Sequence, residues 1–254
     1  KMNKPLLLDV PGVNNFRDQG GYALERGRMK TGRLFRCGHL ADITDEGREK
    51  VAALNIALVV DLRDDHERNG FPTPLDLGPD IGAFPGGLVH ADSDTALEAR
   101  FTEDDVKAYK MEFCQSVPHR FPNAIKAVFE TLAAGQNVLV HCTAGKDRTG
   151  VVCASVTRAI GLPMETLLKD YLATMEYEAQ MEPHRVDALD EFYGFKNADP
   201  VLYGLRRKIF PELMEESLRI MEQDFGGHDT YLTDQCGVDK HALQEVRRQL
   251  VQHD

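Results

Sequence analysis

The sequence predicts an α/β fold, a parallel central sheet flanked by helices, and three observations carry that expectation. Two short runs, Ile56–Leu62 (IALVVDL) and Asn137–Val140 (NVLV), are apolar on both of the alternating faces that a strand presents. Strands buried on both faces read this way, and they belong to parallel sheets covered by helices. The second run passes through a glycine-containing loop directly into an apolar helical stretch, VVCASVTRAIG, closed by Gly161. The remainder, from Pro163 onward, is mostly helical, with a start or stop signal on each segment.

The elements follow in order. VNNFRDQGGY and RLFRCG read as strands and tight turns, and a short helix is expected near Thr44–Leu54. The strand Ile56–Leu62 ends in the polar stretch DLRDDHER. Asn69–Asp94 is rich in Pro and Gly and reads as an irregular loop. A helix is expected from Thr102, where Thr102 and Asp105 have capping-box spacing, and another from Pro122 to a stop at Gly135. After the strand Asn137–Val140 and its helix come helical segments at Pro163–Ala173, Pro211–Phe225 and Asp239–Val251. No repeat, low-complexity tract or convincing linker divides the chain, so residues 1–254 are expected to form one domain, with 163–254 its helical C-terminal part.

Composition narrows the function. The 254 residues carry 41 acidic and 30 basic side chains, a net charge of −11, which argues against nucleic acid as a partner. An anionic substrate must then be drawn in by a local positive site. No run approaches the length of a membrane span, and the opening KMNKPLLLDV lacks the pattern of a cleaved signal peptide. The cysteines, Cys37, Cys114, Cys142, Cys153 and Cys236, are odd in number, scattered and without a CxxC pair. This points to reduced thiols in a cytoplasmic setting, or to export without a cleaved leader, and away from disulfides or a zinc site.

The chemistry concentrates in His141-Cys142-Thr143-Ala144-Gly145-Lys146-Asp147-Arg148-Thr149-Gly150. A loop between a strand end and a helix N-terminus aims several backbone N–H groups at one spot, and the helix dipole adds to them. Gly145 lets the backbone turn closely around an anion. Thiols at helix N-termini beside cations are held as thiolates, so Cys142 is placed as a nucleophile. Arg148, six positions on, offers a planar fork for two equatorial phosphoryl oxygens. Thr149 is placed to hydrogen-bond the Cys142 sulfur, and His141 to orient the loop. Cys153, in the apolar helix, reads as a core residue or as a resolving thiol for oxidised Cys142.

HCTAGKDRTG resembles the H-C-x5-R-[ST] loop of the protein tyrosine phosphatase superfamily. With NFRDQGG, LFRCG, VVDLRDDHE, DYLAT and DFGGHDTYL, it resembles the bacterial branch that includes the mycobacterial tyrosine phosphatase B and the Listeria lipid phosphatase. The resemblance runs from about Val13 to Leu250. It implies a tyrosine-phosphatase-like parallel-sheet fold, no metal or other cofactor, and a cysteinyl-phosphate intermediate. It implies Cys142 as nucleophile and Arg148 as clamp, with phosphate held by Thr143, Ala144, Gly145, Lys146, Asp147, Arg148 and Thr149. Lysine at the position of Lys146 accompanies phosphoinositide activity in related enzymes; the alternative is a solvated loop lysine.

The leaving oxygen needs a proton, and the tryptophan-bearing acid loop of ordinary tyrosine phosphatases is absent, because the chain has no Trp. Asp147 is the first candidate by resemblance, and Asp61, Asp92 and Asp94 are the others. Arg63 and Glu67 read as a structural ion pair, and Arg17 and Asp18 as residues holding a turn near the site. Residues 95–118 stand where the branch carries a helical lid, and EDDVKAYKMEF offers Val106, Tyr109, Met111 and Phe113 as apolar cover; an ordinary packed helix is the alternative. The expected function is hydrolysis of phosphotyrosine or phosphoinositide-type monoesters. Its rivals are a rhodanese-like sulfurtransferase and a non-catalytic phosphate-binding module.

Overall fold

A computed structural model describes residues 5–86, 102–194 and 200–253. Its six-stranded sheet runs in the order β1 (Leu6–Leu7), β2 (Arg17–Asp18), then β4 (Leu34–Cys37), β7 (Asn137–His141), β5 (Ile56–Asp61) and β6 (Asp80–Ala83). The pairings β4–β7, β7–β5 and β5–β6 are parallel, while β1–β2 and β2–β4 are antiparallel. The centre is thus the expected parallel sheet, with an antiparallel edge added by the N-terminal strands. A second, two-stranded sheet pairs β3 (Arg28–Met29) with β8 (Val251–Gln252) and ties the C-terminal end to the first third.

The apolar runs are explained by what covers each face. Leu34, Val60, Val138 and Val140 join one core with Val128, Phe129, Val152 and Val156. Those residues come from α4 (Pro122–Ala133) and α5 (Asp147–Ala159). Phe35, Val59 and Leu139 point the other way and meet Phe16 and Val51, the latter from α1 (Asp45–Ala53). Neighbouring strand residues therefore serve opposite cores, so the strands have no polar face. Every residue of α5 from Arg148 to Thr157 is buried, which makes it the central helix.

The other helices are α2 (Asp65–Gly70), α3 (Glu103–Arg120), α6 (Met164–Glu178), α7 (Pro183–Phe192), α8 (Pro200–Arg207), α9 (Pro211–Arg219), α10 (His228–Thr230) and α11 (Lys240–Leu250). The capping box at Thr102 forms as expected: its side chain accepts from Asp105 N–H, and Asp105 accepts from Thr102 N–H. One expectation needs correction, and one stretch left without an expected element holds a helix. The Asn69–Asp94 segment contains β6, whose DIGA sequence lacks the β-branched density of its neighbours and gains its ladder from Leu58–Asp61. The polar DLRDDHER holds α2, started by a second capping box, Asp64 with Glu67.

In register, Cys37 and Asp61 both stand opposite His141, so β4, β5 and β7 end at one level. The loops leaving that carboxyl edge converge, and the candidate site lies among them, as is usual for parallel sheets.

Candidate active site

The loop after β7 is held from behind through its carbonyls. The Cys142 carbonyl lies 3.0 Å from His141 Nδ1, and the Thr143 carbonyl accepts from the His39 N–H at 2.9 Å. Asn15 Nδ2 donates to the Ala144 and Gly145 carbonyls at 3.2 and 3.0 Å. Arg36 donates to the Gly145 and Lys146 carbonyls at 2.6 and 3.1 Å. With these oxygens held by the protein, the N–H groups of residues 143–146 meet no acceptor among the described residues and remain available to an anion. Gly145 has φ 69°, and a Cβ there would lie 2.3 Å from the Cys37 carbonyl oxygen, so only glycine fits.

A buried ion cluster braces this arrangement. Asp170 of α6 receives Arg17 Nε at 2.9 Å, Arg36 at 3.1 Å and the Tyr22 hydroxyl at 2.9 Å. Burial pushes the Asp170 carboxyl up, but Arg17 and Arg36 outweigh it and hold it below the usual carboxylate range. Arg17 also donates to the Asn15 side chain, which fixes the amide that grips the loop. Asp18 accepts from the Gly20 and Gly32 N–H groups at 2.8 and 2.6 Å. Arg17 and Asp18 thus hold the backbone near the site.

Arg148 is gripped by Glu67 through two parallel bonds, each 2.7 Å. Burial opposes the charge of Arg148, and Glu67 more than restores it. The same carboxylate accepts from Thr143 Oγ1 at 2.6 Å, the Tyr193 hydroxyl at 2.9 Å and the Asp64 N–H at 3.0 Å. This corrects the expected Arg63–Glu67 pair. Arg63 pairs with Asp61 instead, at 2.9 and 2.7 Å, because its stem leaves the strand end toward its near neighbour. Asp61 is consequently buried and occupied, and it does not line the pocket over Cys142. His141 Nε2 lies 3.6 Å from Asp61, and burial pushes the His141 pKa down. Among the described residues Thr149 Oγ1 is buried without a hydrogen-bond partner, so the expected bond to the Cys142 sulfur is not made.

Cys142, Thr143, Ala144, Lys146, Asp147 and Arg148 line a cavity of about 260 Å³. Asp147 accepts from the Tyr171 hydroxyl at 2.5 Å. Lys146 reaches Glu178 at 2.5 Å and the Arg207 carbonyl at 3.3 Å. Asp92 and Asp94 lie outside the described residues, as do residues 95–101 of the expected lid. Of the expected cover, Val106 is buried, Tyr109 is exposed, and Met111 and Phe113 pack on Cys114, Phe210 and Leu213. Phe113 also lines the cavity. The wall is completed by Val186 and Leu189 of α7, Tyr193 just after it, and Tyr203 and Arg207 of α8. Cys153 belongs to the core, where burial pushes its thiol up to about 12.

A thiol, a ring of free N–H groups and a fixed guanidinium can together hold a tetrahedral oxyanion against sulfur. Sequence reasoning missed Asn15, Arg36, Asp170, Glu67 as partner of Arg148, Tyr193 and Lys110. Asn15 has φ 58°, a conformation asparagine tolerates, and the Asn-Asn pair before Phe16 was the available signal. Among the described residues no cluster could hold a metal ion, and no helix is long and apolar enough to cross a membrane.

Residues 8–252 match the tyrosine phosphatase family. The triple specificity protein phosphatase PtpB of Mycobacterium tuberculosis is 28% identical over 95% of this chain and 98% of its own. A putative tyrosine-protein phosphatase of Cupriavidus necator is 29% identical over 91% of this chain and 85% of its own. The solved structure of P. aeruginosa TpbA overlaps 80% of this chain and 93% of its own, with 18% identity and a TM-score of 0.35, too loose to bear on the site. The family match spans almost all of the sequence and includes the Cys-x5-Arg loop, so the chain belongs to the tyrosine phosphatase family and is a cysteine-dependent phosphatase acting on phosphorylated substrates.

Proposed function

We propose that the chain, working as one phosphatase domain, hydrolyses phosphotyrosine and phosphoinositide-type monoesters through a phosphocysteine at Cys142. The observation that carries this reading is the set of held carbonyls from Cys142 to Lys146, which leaves the opposing N–H groups free to receive phosphoryl oxygens. In the first step the Cys142 sulfur attacks phosphorus in line, the ester P–O bond breaks, and the leaving oxygen takes a proton from Asp147. The N–H groups of residues 143–147 and the Arg148 fork stabilise charge on the equatorial oxygens. In the second step water attacks the phosphocysteine, Asp147 takes its proton, and sulfur departs.

Three features support the assignment of parts. Arg148 lines the cavity while Glu67 fixes its guanidinium through both terminal nitrogens. Tyr171 holds Asp147 Oδ1, leaving Oδ2 to carry the transferable proton. The wall formed by Phe113, Val186, Leu189 and Tyr193 suits a ring, phenyl or inositol, beneath the phosphate. The relative named for triple specificity agrees with a broad substrate range. All five cysteines are free, which supports a reducing compartment.

The test compares turnover of a phosphotyrosine peptide and of short-chain phosphoinositides by wild type and Cys142→Ser. Wild type should act on both classes, and Cys142→Ser should fall below about a thousandth of its rate. Retained turnover in the variant would overturn the nucleophile.

A further inference from the structure

Lys110 and Arg207 stand out among the charges around the cavity. Arg148 has Glu67 and Lys146 has Glu178, but among the described residues neither Lys110 nor Arg207 makes an ion pair. The Lys110 ammonium bonds the Lys208 carbonyl at the C-terminal end of α8. Arg207 donates to the Tyr203 hydroxyl at 2.5 Å and lies over that ring. Tyr203 in turn donates to Asp190 at 2.9 Å, so among the described residues Arg207 meets a carboxylate through a hydroxyl. In a chain of net charge −11, two cations in the catalytic cavity without a directly paired carboxylate among the described residues are a local attractor for an anion.

We propose that Lys110 and Arg207 form a subsite for a second phosphate monoester on the same substrate molecule, apart from the phosphate held over Cys142. Both residues line the cavity that Cys142 lines, so the second anion enters with the first on one compact body. A doubly phosphorylated inositol ring meets that requirement. A carboxylate next to a phosphotyrosine meets it less well, because its backbone stays outside. The lysine is partly withdrawn from water, and burial lowers its pKa to about 8, which leaves its charge poorly solvated until an anion arrives. Charge-assisted bonds from ammonium and guanidinium would then replace a carbonyl and a hydroxyl as partners. The inference rests on the phosphatase reading above and names the substrate class within it.

The experiment measures kcat/KM for two water-soluble dioctanoyl lipids, phosphatidylinositol 3-phosphate and phosphatidylinositol 3,5-bisphosphate, which differ by one phosphate. Wild type should favour the bisphosphate by about tenfold or more, and Lys110→Met/Arg207→Met should lose about tenfold of that ratio, chiefly through KM. Lys110→Arg, which keeps the charge, should preserve the preference and guards against a folding defect. A wild-type ratio near one, or a ratio unchanged in the double variant, would overturn the subsite. So would an effect confined to acidic over neutral phosphotyrosine peptides, which would assign these cations to a protein substrate. Undiminished turnover in Cys142→Ser would instead overturn the catalytic reading beneath it.

Discussion

Behind the phosphate loop, Arg17 and Arg36 share the buried Asp170, and their remaining donors reach Asn15 and the loop carbonyls. In front of it, Lys110 and Arg207 face the cavity with a carbonyl and a hydroxyl as partners. Behind the loop both guanidinium groups find a carboxylate and further acceptors within the protein; the front is completed only when substrate arrives. The two sides should therefore fail differently. Substitutions behind the loop should cost stability and shape together, while those in front should alter selectivity and leave the fold standing.

The largest expected effect lies behind. Asp170→Asn strands two buried guanidinium groups beside each other, and breaking such a pair costs about 3–5 kcal/mol. Urea denaturation should show a lower midpoint by that measure, together with loss of turnover. A change under about 1 kcal/mol would mean that the cluster does not brace the loop.

Next comes the acid. Asp147→Asn should lower kcat by about 10²–10⁴ on alkyl phosphates and much less on p-nitrophenyl phosphate, whose leaving group needs no proton. Equal losses on both would remove Asp147 from that role. Glu67→Gln sits between the two regions. It keeps the shape but gives up one charged contact to Arg148, so kcat/KM should drop about thirtyfold, the equivalent of ~2 kcal/mol. The smallest effect is in front. Lys110 faces Asp147 and Glu178, which favour its charge, Lys146, which opposes it, and Cys114, and burial sets its pKa near about 8. It is charged below that value and neutral above it. Preference for a doubly phosphorylated substrate should hold at lower pH and decline above about 8, and Lys110→Arg should abolish the decline.

How these regions read in the sequence differs as well. HCTAGKDRTG is contiguous, so the strand, the glycine turn, the thiol and the arginine could all be seen at fixed spacing. The parallel strands were legible because both faces are apolar. The brace was not, since Asn15, Arg36 and Asp170 are far apart in sequence and meet only when β4 and α6 close on the loop. Arg63–Glu67 shows the opposite trap. The two residues lie close in sequence and read as an ion pair, but Glu67 stands in the first turn of α2 and its carboxylate bonds Arg148. β6 escaped notice because Asp80–Ala83 has little strand propensity of its own and depends on β5 beside it. The cavity wall from α7 and α8 could not be foreseen either, because no spacing rule links residues 186–207 to Cys142.

The most direct measurement is to quench the enzyme in acid during turnover and weigh its peptides. The account predicts one phosphoryl group on the peptide bearing Cys142, absent from Cys142→Ser and enriched in Asp147→Asn with an activated aryl phosphate. Steady turnover with no phosphoryl group on Cys142, or with the group on another residue, would contradict it.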